Sequence, residues 1–76
     1  MNKDRRKVIE QATELLARAK ELIEQARDEE QEYFDNMPES FQSSEKGERA
    51  EAAAEALDEA FNAIEEAEAA CGTATE

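Results

Sequence analysis

The sequence predicts an all-α fold: an antiparallel helical hairpin of two long helices with a short helical turn in the bend, assembling as a homo-oligomeric helical bundle. Three observations predict it. Two long runs carry apolar residues at steps of three and four, the signature of a helix with one buried face. The single proline, Pro38, stands between those runs. And 76 residues with one cysteine and no histidine leave neither a disulfide nor a zinc site to support a small core, so association with further helices is the remaining source of stability.

In the first run Val8, Ala12, Leu15, Ala19, Leu22 and Ala26 form a seam expected to face the other helix of the hairpin. Ile9, Leu16 and Ile23 lie beside that seam, also seven residues apart, and widen the apolar stripe beyond one contact. They are therefore expected to face a further chain. Tyr33, Phe34 and Met37 continue the stripe past Glu29 and Glu30. Pro38 disfavours a helical Met37, so helix 1 is expected over about residues 4–34 and the bend over about 35–43. Asn36 or Asp35 can cap the single turn expected in "PESFQ".

Helix 2 is expected over about residues 44–71, opened by Ser43 or Ser44 as its cap. Its seam is Ala50, Ala53, Leu57, Ala60, Ile64, Ala67 and Cys71, flanked by Ala54 and Phe61. The alanines permit close approach of the helix axes. Gly47 suits unusual backbone or close approach, and Gly72 suits a left-handed cap that ends the helix before a tail of residues 72–76. Cys71 lies on the seam and reads as a small packing residue.

Charge is uneven along the chain. Residues 1–27 carry seven basic and five acidic groups, and residues 28–76 carry two and sixteen, within a net charge of −12. Lys3, Arg5, Arg6 and Lys7 are expected to meet Glu65, Glu66 and Glu68 at the open end of the hairpin, where antiparallel dipoles also compensate. The bend keeps its acid. Such a surface repels nucleic acid and anionic membrane, which excludes both as direct partners, and it attracts basic protein surfaces. No apolar run is long enough for a membrane span or signal peptide, so a cytoplasmic location is expected.

Chemistry has little foothold. With no histidine, no glycine-rich phosphate loop and no metal-ligand pattern, no residue fills a catalytic or metal-binding role, and no cofactor is expected. The chain therefore reads as a binding protein and not an enzyme. The stretch "DEEQEYFDNMPESFQSSEKGERAE" is richer than a chain reversal requires. Its rings and cations are the candidate binding residues: Tyr33, Phe34 and Phe41 for packing or stacking, Arg27, Lys46 and Arg49 for charge, with Asn36 and the helix start at Ser44. Burial of the bend by its own aromatic cluster is the plainer reading of the same residues.

The segment "DEEQEYFDNMPESFQSSEKGERAEAAAEALDEAFNAIEEA" resembles a recurrent family of small acidic proteins of phages, prophages and bacteria. The shared core runs D-E-E-Q-E-x-[YF]-D-N-[ML]-P-E-S-x-Q-x-S-E-[KR]-G and covers, with the helix after it, about half of the chain. The resemblance implies a phage-associated accessory protein in a bacterial host cytosol and carries no catalytic residue over. Proteins of this kind commonly resemble antagonists of host defence. Two physical styles fit: acidic mimicry of nucleic acid against a defence protein with a basic surface, or sequestration of a cyclic nucleotide or ADP-ribose-type signal in oligomer pockets. A structural or assembly module without a ligand is the third reading.

Overall fold

A computed structural model describes residues 1–76 as three helices and no strand: α1 (Lys3–Asp35), α2 (Glu39–Gln42) and α3 (Glu45–Ala74). α1 and α3 run antiparallel as the two arms of a hairpin, and α2 turns the corner. The molecule is a rod of 58 × 15 × 13 Å. No helix is long and apolar enough to cross a membrane.

Local chemistry sets each boundary. Asn2 caps α1, its side chain accepting from the Arg5 amide at 2.8 Å, with Asp4 favourably placed at the positive end of the dipole. α1 ends at Asp35, with Asn36 as its C-cap, two residues before Pro38. Pro38 precedes α2 with no side-chain cap, so neither Asp35 nor Asn36 caps that turn. Ser44 caps α3: its hydroxyl accepts from the Gly47 amide and donates to the Phe41 carbonyl. Gly47 is among the three buried residues, and it has ordinary negative φ. The glycine serves close approach. A Cβ there would stand 2.5 Å from the Phe41 carbonyl oxygen and also collide with that of Gln42.

Gly72 departs from the expected cap. It lies inside α3, with no positive φ, and the helix runs on to Ala74. Thr73 and Thr75 side chains donate to the carbonyls of Ala69 and Cys71 one turn back. These bonds and the last backbone bonds continue the helical path, so no left-handed residue is needed to close it.

The packing of α1 also differs from the expected arrangement. Ile9, Leu16 and Ile23 are half-buried against α3, whereas Val8, Leu15 and Leu22 are 61%, 72% and 51% exposed. The row expected to face outward thus lies in the inner seam, and of the expected seam Ala12 and Ala19 stay half-buried while Val8, Leu15, Leu22 and Ala26 are exposed. Both rows repeat every seven residues, so periodicity alone cannot rank them. Edge chemistry does. Ile9, Leu16 and Ile23 fill the space before a helix that contributes Ala50, Ala54, Leu57, Phe61 and Ile64. Lys20 and Arg27, beside this inner row, lay their stems along α3 and pair with Glu68 and Asp58. The seam of α3 lies where its periodicity places it, with Ala50 and Ala54 buried and Ala53, Leu57, Ala60, Phe61, Ile64, Ala67 and Cys71 half-buried.

The register is set by Lys20 to Glu68 at 2.7 Å and Arg27 to Asp58 at 2.9 Å. Both cations also stand over the Phe61 ring, at 5.8 and 5.4 Å. In this register the end of α3 reaches only Ile9 and Thr13, which line a cleft with Cys71 and Thr75. The first turns of α1 overhang. Lys3, Arg5, Arg6 and Lys7 consequently form no ion pair, and Glu68 is taken by Lys20 in place of that cluster.

Candidate functional site: the bend

The corner gathers most of the predicted site residues into two shallow, adjoining clefts. Tyr33, Asn36, Met37, Pro38, Phe41 and Lys46 line one of 420 Å³, and Phe41, Ser44, Glu45, Lys46 and Arg49 line the other. Each residue arrives there for a local reason. Tyr33 and Asn36 sit at the end of α1, Pro38 swings the chain outward, α2 carries Phe41, and the Ser44 cap starts α3 so that Lys46 and Arg49 lie in its first two turns. Phe41 and Lys46 form the ridge shared by both clefts.

The aromatic cluster is only partly satisfied by its own packing. Phe34 and Met37 are half-buried, and the Phe34 carbonyl accepts from the Gln42 side chain at 3.1 Å. That bond ties α2 back onto α1. Tyr33 and Phe41 remain 44% and 56% exposed, on a protein whose first cleft is floored almost wholly by carbon. The Lys46 ammonium stands 5.8 Å from the Tyr33 ring centre, a cation–π distance.

The predicted cations divide. Arg27 lines neither cleft: its guanidinium holds Asp58 at 2.9 Å and Asp28 at 3.2 Å. Its pKa is raised above the ordinary value, first by the hydrogen bond to Asp58 and then by that to Asp28. Arg49 is at the bend but engaged with Glu45 one turn back. Lys46 has no carboxylate partner. Phe34 lines neither cleft and serves the packing of the corner.

Sequence reasoning overlooked Met37 and Pro38 as lining residues. The sequence assigns both to backbone and packing, and in the structure Pro38 is exposed just beyond the end of α1 while Met37 is half-buried. No group of three acidic or cysteine side chains is placed to hold a metal ion. The acids of the bend are instead distributed around the corner: Asp35 accepts from Gln31, and Glu29 from Gln25. Comparison with protein-family models, with curated proteins and with solved structures gives no match to this chain.

Proposed function

We propose that the chain is a non-enzymatic binding protein whose recognition surface is the bend, and that its partner is a protein with a basic surface and an apolar or aromatic anchor. One observation carries this reading: of the three cations that a nucleotide pocket would use, Arg27 and Arg49 are already held by carboxylates. Only Lys46 is free to offset phosphate, and Glu45 lines the same cleft. An anionic ligand would enter against net negative charge. A basic protein is drawn in by the same field, and Tyr33, Met37, Pro38 and Phe41 offer its anchor an apolar seat inside a charged rim.

Together with the resemblance to phage and prophage proteins, this makes the partner a host antiviral defence protein. Carboxylates at helical spacing occupy the basic groove that would otherwise take nucleic acid, and the cleft supplies the specificity that charge alone lacks. Sequestration of a nucleotide signal is the second reading, supported by the Lys46–Tyr33 stack.

Phage-protection assays in a defended bacterial host, paired with pull-downs of the defence protein, test the proposal. Phe41→Ala and Glu39→Lys are expected to abolish protection and capture while leaving helicity and mass unchanged, with capture of the wild-type protein weakening as salt rises. Retention of both by both variants overturns it. Titration with a cyclic dinucleotide and with ADP-ribose is expected to give no saturable heat; saturable binding would return the sequestration reading to first place.

A further inference from the structure

The two arms of the hairpin leave one broad face apolar. On α1, Ala12, Ala19 and Ala26 lead at steps of seven to Tyr33; on α3, Lys46 leads at steps of seven to Ala53, Ala60 and Ala67. The contact of Tyr33 with Lys46 shows that the two rows border the same face, since residues seven apart return to one side of a helix. Outside the first row stand the exposed Val8, Leu15 and Leu22, and outside the second the exposed Ala56, Ala63 and Ala70. The opposite face is marked by Arg27 with Asp58, whose own seven-residue row holds Glu51 and Glu65. On α3 the far side thus carries carboxylates at the steps where this face carries alanine.

Three observations identify what covers the apolar side. The first is area. The chain exposes 5691 Å² at 8.5 kDa, where a folded monomer of that mass exposes about 4,650 Å². The excess, about 1,000 Å², is the amount one partner contributes to a standard interface of ~800 Å² per side.

The second is symmetry in the sequence. Outward from Ala19 the α1 rows read Leu15 and Leu22, then Ala12 and Ala26. Ala60 is level with Ala19, because Tyr33 meets Lys46 and each alanine lies two seven-residue steps from that contact, and outward from Ala60 the α3 rows read Ala56 and Ala63, then Ala53 and Ala67. Both helices are palindromic about the same level. That is the condition for a two-fold axis crossing them there, which brings each surface against itself.

The third is charge. About this axis the bends lie at opposite ends, and the unpaired first turn of one chain reaches the end of α1 in the other. The partner's Arg5 and Arg6 come level with Tyr33 and Glu32, and the partner's Lys3 with Asp35. Carboxylates at the end of α1 thus lie where the partner's basic overhang lands.

We infer that this face is the interface of an antiparallel homodimer, a four-helix bundle with its two-fold axis at Ala19 and Ala60, in which the partner's first turn walls the Tyr33 side of each bend cleft and leaves Phe41 open. The interface does not depend on what the bend binds, because the residues that form it lie along the arms.

Sedimentation equilibrium at micromolar concentration is expected to give twice the chain mass for the wild type and a shift to monomer for Leu15→Asp, whose side chain touches little in the single chain. The cysteine pair Ala19→Cys with Cys71→Ala is expected to cross-link to itself on oxidation, because only an axis through Ala19 brings that position against its copy. A wild-type monomer, or a dimer in which this variant fails to cross-link, overturns the assignment. If Leu15→Asp loses helicity as well as mass, the cross-link and the wild-type mass still decide the matter.

Discussion

Gly47→Ala and Gly72→Ala should move stability in opposite directions. Both glycines are helical with ordinary φ, so propensity alone gives each alanine a gain of up to ~1 kcal/mol. At Gly72 nothing stands within 4 Å of the added methyl. The gain is expected there, reduced to about 0.5 kcal/mol by its place in the last turns of the helix. At Gly47 the methyl would meet the Phe41 carbonyl oxygen at 2.5 Å, together with the carbonyl of Gln42. Those are backbone atoms of α2, so relief requires moving the whole corner away from α3, which also strains the Ser44 cap and the Gln42 bond to Phe34. Overpacking of this kind costs roughly 1–3 kcal/mol. With collisions against two successive carbonyls the upper part of that range applies, and the net loss after the propensity gain is about 2 kcal/mol. For a domain of this size that lowers Tm by roughly 8–16 °C, against a rise of a few degrees for Gly72→Ala. Thermal melts followed by circular dichroism at equal protein concentration measure both. A Gly47→Ala protein as stable as wild type would refute the claim that the corner packs through this glycine.

Two further outcomes probe the arms. Leu16→Asp, in the inner seam, should destabilise the hairpin itself by about 3 kcal/mol or more, since it removes packing and places a carboxylate among apolar groups; equal effects of Leu15→Asp and Leu16→Asp on chemical unfolding of the single chain would mean that the two rows are not distinguished as described. The Lys20 ammonium has its pKa raised above 10.5, first by its hydrogen bond to Glu68, against a smaller opposing effect of desolvation. A folded value above the unfolded one means that the stabilisation is complete below pH 10.5 and is lost as pH rises through the folded value. Melts in that alkaline range should show a steeper loss for wild type than for Lys20→Met, and parallel curves would show that the pair contributes nothing.

What could be read from the residues and what needed the folded chain separate on physical grounds. Helix, break and helix were legible because periodicity, Pro38 and the serine before α3 act through neighbours within a turn. The corner site was legible in part, because Tyr33, Phe41, Ser44, Lys46 and Arg49 lie close in sequence and any tight reversal brings them together. Which of two adjacent rows on α1 turns inward was not, since Leu15 and Leu16 obey the same period and only the fit against α3 chooses between them. The register between the arms was equally hidden. It depends on Lys20 and Arg27 finding Glu68 and Asp58 across the hairpin, and it decides that the basic first turn overhangs and that Arg27 is drawn away from the bend. Gly72 looked like a stop because glycine permits the left-handed turn. Permission is a property of the residue, whereas its use depends on whether the bonds of the last turn require it, and here they continue the helix.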